Sequence, residues 1–219
     1  MHENEKARQA LQEGNMEEAA KALHKAIEED PNDPVNFINF GNLLAGVGEE
    51  DRALQFYQKA LELDENAATA YYGSGNVLYN QDKMAEALTM YQQALKAGLD
   101  DPNLHYMMGL VYYQSGRIPR ALASLKRALE QNEEDTEARF YYGLCLAQSD
   151  QIEESILEFE RVINENEEHA DAHFNLGVAM IYQEKAKEAL NHFEKALEIQ
   201  PDHMLAANGK KRVEELLGN

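Results

Sequence analysis

The 219-residue chain carries 40 acidic against 20 basic side chains, a net charge of −20, with 44% hydrophobic residues and one cysteine. That balance excludes nucleic acid, whose phosphates need clustered Lys and Arg, and docking on an anionic membrane. Cys145 alone makes neither a disulfide framework nor a cysteine zinc site; the polar start MHENEKARQ lacks a signal-peptide core, and no stretch reaches the roughly 18 apolar residues of a membrane span, so the expected compartment is the cytoplasm.

Residues 1–33 form an atypical first unit, in which Gly14, Ala19, Leu23, Ala26 and Pro31 recur later at a fixed spacing while Glu3, Glu5, Lys6, Arg8 and Gln9 leave the first half polar. A terminal repeat has one face without a neighbour, so a polar face there serves solubility. Residues 34–67 give the regular unit, with Phe37, Phe40, Gly41, Leu44, Gly48, Ala53, Tyr57 and Ala60. Residues 68–101 repeat it with Tyr71, Gly75, Leu78, Ala87, Tyr91 and Ala94, and Gly98 follows the second helix where a left-handed cap suits glycine. Residues 102–135 carry Met108, Gly109, Tyr112, Gly116, Ala121, Leu125 and Ala128, with Pro119 in a first helical turn. Residues 136–169 carry Tyr142, Gly143, Leu146 and Phe159; residues 170–203 carry Leu176, Gly177, Met180, Ala189, Phe193, Ala196 and Pro201. Residues 204–219 read as a C-terminal capping helix, kinked near Gly209, in which Leu205, Val213, Leu216 and Leu217 cover the last unit.

Gly41, Gly75, Gly109, Gly143 and Gly177 stand 34 residues apart. Within each unit apolar residues recur at three and four, so each half is an amphipathic helix, and no segment alternates with period two. A glycine inside a helix costs roughly 0.5–1 kcal/mol relative to alanine. Five are retained, so each is expected to admit a close helix–helix contact, with the alanines of the second helix doing the same.

These residues resemble the tetratricopeptide repeat (TPR) family: a 34-residue period, a Leu-Gly or similar pair, a large apolar residue one turn on, two alanines and a closing proline. The match covers residues 34–203 and the second half of 1–33. Phe37, Tyr71, His105, Arg139 and His173 stand where the family has tryptophan, and the closing proline remains only at Pro31 and Pro201. The resemblance implies an all-α fold, a right-handed α-α superhelix of antiparallel helix pairs, as a single array over 1–219. It also implies a concave groove, lined by the first helices, that binds an extended peptide or protein segment.

The helix period assigns that groove to residues three before, one after and four after the repeated glycine, with their neighbours. The candidates are Ile38, Asn39, Asn42, Tyr72, Asn76, Tyr79, Tyr106, Met107, Leu110, Tyr113, Phe140, Tyr141, Leu144, Phe174, Asn175, Val178, Ile181 and Tyr182. Tyr72, Tyr106, Phe140 and Phe174 form an aromatic ladder whose half-exposed area would reach roughly 300–500 Å². Helix packing alone also accounts for such a ladder. Asn39, Asn42, Asn76 and Asn175 are candidate clamps for a peptide backbone, since an amide both donates and accepts. Some family members grip a terminal carboxylate with Lys, Arg and Asn; the positions assigned to the groove here supply only Asn. A neutral, aromatic-containing or basic partner segment is therefore expected, with Glu137 and Asp171 at the edge.

Catalytic and metal signals are weak. Gly73-Ser74-Gly75 lies inside a helix without a preceding strand, so it is no phosphate loop. His169 and His173 have i, i+4 spacing but no third ligand. Cys145 reads as a buried small hydrophobe. The sequence thus predicts a non-catalytic, monomeric interaction module without cofactor or metal; the alternative is a self-associating assembly scaffold.

Overall fold

The computed structural model describes residues 3–218. Among them lie thirteen α-helices and no strand. In chain order these are α1 (Glu3–Gln12), α2 (Met16–Glu29), α3 (Pro34–Gly46), α4 (Glu50–Leu63), α5 (Ala68–Asn80), α6 (Met84–Lys96), α7 (Pro102–Gln114), α8 (Ile118–Gln131), α9 (Thr136–Gln148), α10 (Ile152–Glu165), α11 (Ala170–Tyr182), α12 (Ala186–Ile199) and α13 (Met204–Leu217). Contacts divide the chain into two compact units, one up to Met107 and one from Met108. In the first, α1 to α6 pack each on the next, and α3 also touches α5; in the second, α8 to α13 do likewise, and α11 touches both α9 and α13.

The turns inside the repeats keep the 34-residue register in their backbone. Gly14, Gly48, Gly116 and Gly218 hold φ of 74°, 79°, 68° and 77°. Asp82, Asp150 and Glu184, at the same step, hold φ of 58°, 62° and 60°. This left-handed residue ends each first helix, and an L side chain tolerates it at a cost of roughly 1–2 kcal/mol. Several first helices start on a side-chain cap: Asp33 accepts from the Val35 N–H, Asp135 from Ala138, and the Nδ1 atoms of His169 and His203 from Ala172 and Ala206. His203 and Gly218 bracket α13 as His169 and Glu184 bracket α11, so α13 has the geometry of a further first helix. It runs unbroken through Gly209.

Each repeated glycine meets the large residue of its own second helix. A Cβ on Gly177 would come 2.6 Å from the Phe193 ring, and the same pairing joins Gly41 to Tyr57, Gly75 to Tyr91, Gly109 to Leu125 and Gly143 to Phe159. Tyr57, Tyr91, Phe159 and Phe193 are thereby sealed at 0–2% exposure. The alanines beside them, among them Ala53, Ala60, Ala121 and Ala128, are fully buried. Small residues on one helix and rings on the other interlock at close range, which recovers the helix-propensity cost of glycine through burial.

Three of the positions that replace the family's tryptophan pair across to the second helix, each with its own chemistry, while His105 meets Asp100 in the preceding turn at 2.6 Å. Phe37 meets Phe56 with ring centroids 6.3 Å apart, Arg139 meets Glu158 at 2.8 Å, and the Nδ1 atoms of His173 and His192 lie 3.3 Å apart. Arg139, almost fully buried, also donates to the Glu133 carbonyl. Burial lowers the pKa of both imidazoles, and for His173 the proximity of His192 adds to the effect.

The expected role of α13 needs one correction. Val213 is buried and Leu217 packs partly on the core, but Leu205 and Leu216 are exposed at 61% and 72%. Ala206 and Val213, seven residues apart, define the buried stripe, and a helix 3.6 residues per turn places Leu205 and Leu216 on a different one.

Candidate functional site

In the unit up to Met107, the groove candidates divide by burial. Ile38 is only 7% exposed and belongs to the core, contrary to its assignment, while Asn39, Tyr72, Asn76, Tyr79, Tyr106 and Met107 are half-buried and Asn42 is exposed. The asparagines are engaged within the fold. Asn39 donates to Asn4, the Asn42 Oδ1 accepts from the Tyr57 hydroxyl at 2.7 Å, and the Asn76 Oδ1 accepts from Tyr91 at 2.9 Å. Burial pushes the Tyr57 phenol up to about 12 and raises Tyr72 and Tyr91 as well. Asn39 and Asn42 line a cavity of about 370 Å³ with Asn4, Glu5, Arg8 and Leu11.

A pattern legible in the sequence explains the asparagines. Asn42 and Asn76 follow the repeated glycine where the second helix brings Tyr57 and Tyr91; Leu110, Leu144 and Val178 follow it where the second helix brings Leu125, Phe159 and Phe193. A buried hydroxyl requires an acceptor, and a phenyl or isobutyl group does not.

In the unit from Met108, Leu110 and the ladder residue Phe140 are 6% and 8% exposed, a second correction to the groove assignment. Phe140 lies among Tyr141, Phe159 and His169, with ring centroids 5.6, 5.9 and 4.6 Å away. A residue one or three places from the seam glycine lies within about 100° of it around the helix, close enough for large neighbours to close over. The ladder therefore exposes less than its assigned area.

The remaining candidates of this unit converge. Tyr113 packs edge-on against Tyr141 at 5.5 Å, and its hydroxyl accepts from Gln148 at 3.2 Å. Tyr113, Leu144, Gln148, Asp150, Asn175, Val178 and Tyr182 line a cavity of about 510 Å³. Asn175, itself part of that lining, donates its amide to the Asp171 carbonyl at 2.7 Å. A second cavity of about 520 Å³ opens between α11 and α13, lined by Phe174, Val178, Ile181 and Tyr182 on one side and Leu205, Asn208, Gly209, Arg212 and Leu216 on the other. Val178 and Tyr182 belong to both linings, so the cavities adjoin along α11. Tyr182, 70% exposed, forms the ridge between them.

The α13 lining residues lay outside the predicted groove. Subtracting 34 places Leu205, Asn208, Gly209, Arg212 and Leu216 on Asp171, Phe174, Asn175, Val178 and Tyr182. Carrying the repeat one step past residue 203 would have found them. Gly209 keeps the cavity open: at the same place in α9 stands Tyr141, whereas a Cβ on Gly209 would already come 2.9 Å from Phe193.

Cys145 is fully buried, and burial pushes its thiol up to about 12, so no thiolate forms near neutral pH. Among the described residues no three His, Cys, Asp or Glu side chains cluster as a metal site, and no helix is long and apolar enough to cross a membrane.

Comparison with known proteins agrees with this architecture. Tetratricopeptide repeat family models match residues 4–33, 41–82, 75–116, 106–163 and 170–203. The TPR repeat-containing protein YrrB of Bacillus subtilis (strain 168) is 54% identical over 39 residues, a stretch covering 18% of this chain and 19% of that protein. A crystal structure of YrrB, described as a TPR protein with an unusual peptide-binding site, superposes with a TM-score of 0.82 at 49% identity, covering 88% of this chain and 100% of that one. PilF of Pseudomonas aeruginosa superposes with a TM-score of 0.83 over 96% of each chain at 19% identity, a likeness of fold alone.

Proposed function

The chain belongs to the tetratricopeptide repeat family, a fold that serves protein interaction, and from that premise we propose that it is a non-catalytic module that binds an extended peptide or protein segment along its first helices. The observation that carries this reading is the pair of adjoining cavities that share Val178 and Tyr182. Tyr182 and Ile181 are exposed beside them, at 70% and 38%, and clustered exposed apolar side chains around a concavity mark interaction surfaces. The lining is mainly aromatic, aliphatic and amide, groups that bury a ligand side chain and hold its backbone. The peptide-binding site described for YrrB supports the same class of ligand. The proposed compartment is the cytoplasm.

The test is selection of displayed random peptides on the full chain, followed by fluorescence anisotropy with synthetic copies. Tyr182→Ala, a change at an exposed side chain, is expected to weaken the selected peptides about tenfold, the scale of an aromatic anchor. Peptides that bind the Tyr182→Ala chain with unchanged affinity would place recognition elsewhere and refute the reading.

A further inference from the structure

Arg212 gives the cavity between α11 and α13 a charge preference. It is exposed, lines an otherwise largely apolar cavity and has no hydrogen-bond or ion-pair partner among the described residues. Lys210, two residues earlier, is by contrast held by Glu194 at 2.9 Å and Glu214 at 3.7 Å. Arg212 is thus a guanidinium at the wall of this cavity that no carboxylate of the described residues neutralises. Its planar fork suits one carboxylate held by two parallel hydrogen bonds.

Building on the peptide-binding reading above, we propose that this cavity recognises a peptide segment in which one Asp or Glu side chain is flanked on both sides by apolar side chains, with Arg212 taking the carboxylate. The flanks follow from α13. Leu205 lies seven residues before Arg212 and Leu216 four after it, roughly 10 Å and 6 Å along the helix axis. An extended chain advances about 3.3 Å per residue, so apolar ligand residues stand about three places to one side of the acid and about two to the other. Both leucines are exposed, at 61% and 72%, and available for such contacts. Apolar surface on both sides of Arg212 places the acid inside the segment and not at its end. The cavity, about 520 Å³, has room for more than one large side chain. The net charge of −20 limits the segment to a single acid, since further carboxylates enter a repelling field.

The test uses random dodecapeptides fused at their C-terminal end to a phage coat protein, which removes the free carboxylate, selected on the immobilised full chain. The selected consensus is expected to hold one acid between apolar residues. A synthetic copy blocked at both ends is expected to lose about tenfold in affinity on Glu→Gln in the peptide, and about tenfold on Arg212→Gln in the protein. The two changes together cost no more than either alone, and Arg212→Glu reverses the preference toward a lysine-bearing copy. Arg212 is a surface residue, and circular dichroism of each variant verifies the fold. A consensus without an acid, or an affinity unchanged by Arg212→Gln, overturns this assignment; if Tyr182→Ala still weakens those peptides, peptide binding at the groove stands. Peptides indifferent to Tyr182→Ala overturn the groove and this assignment with it.

Discussion

The pairing of Asn42 with Tyr57 offers a sharp test of how the repeats are held together. Tyr57 is 1% exposed, and its hydroxyl donates to the Asn42 Oδ1 at 2.7 Å. Asn42→Leu removes that acceptor and leaves a buried hydroxyl unpaired, at a cost of about 1–3 kcal/mol. Tyr57→Phe removes the hydroxyl instead. The Asn42 amide is exposed and returns to water, so this change costs about 0.5–1.5 kcal/mol. The double variant reproduces the Leu144–Phe159 combination found later in the same chain and is expected to lie within about 0.5 kcal/mol of the parent. The cycle therefore carries a coupling of about 1.5–4.5 kcal/mol. At about 2 kcal/mol, the middle of its own range, Asn42→Leu alone lowers Tm by about 4–8 °C, on the scaling for chains of this size. Urea unfolding followed by circular dichroism at 222 nm measures all four proteins. Additive effects, with coupling below about 0.5 kcal/mol, would show that the hydrogen bond contributes nothing specific and that the alternation of Asn and apolar residues has another cause.

Two further outcomes follow from the backbone and from the histidine pair. Glu184 holds φ of 60° where Gly48 and Gly116 stand in equivalent turns, so Glu184→Gly is expected to stabilise the chain by about 1 kcal/mol, read as a higher urea midpoint; an unchanged or lower midpoint contradicts the strain assigned to that turn. Burial holds His173 and His192 below 6.5 in the folded state; at His173 the proximity of His192, Lys195 and His169 adds to the effect against a backbone hydrogen bond with Glu167, and at His192 Glu160 and Glu188 oppose it. The unfolded chain consequently takes up protons first: stability is level above about pH 7 and is lost as pH falls through 6.5 and below. His192→Gln is expected to flatten that fall between pH 7 and 5, and an identical pH profile in the variant would assign the loss to other groups.

Much of the fold was legible because stacking repeats impose one spacing on every unit. Gly41 through Gly177, the alanines of the second helices and the rings opposite them answer to a steric rule that a sequence displays directly: where two axes approach closely, a side chain is absent on one side and large on the other. The groove was less legible. Ile38, Leu110 and Phe140 stand at repeat positions shared with half-buried Tyr72, Asn76 and Phe174, and only their neighbours decide which of them are covered. Asn42 and Asn76 have the chemistry of ligand clamps, but their oxygens accept from the Tyr57 and Tyr91 hydroxyls. That pairing was present in the sequence as an alternation between units, but it acquires meaning only when the two helices are known to face each other at those residues.

The sequence by itself determined the helix pairs, their register and the identity of the residues at each seam, because periodic burial and the cost of helical glycine act locally and repeat at 34 residues. Tertiary structure alone decided which groove positions remain open to a ligand. Exposure depends on the size of side chains from other helices: Tyr141 fills the place in α9 that Gly209 leaves empty in α13. It also turned Leu205, Arg212 and Leu216 from a terminal cover into a cavity wall, since seven-residue spacing between Ala206 and Val213 commits a different stripe of α13 to the core.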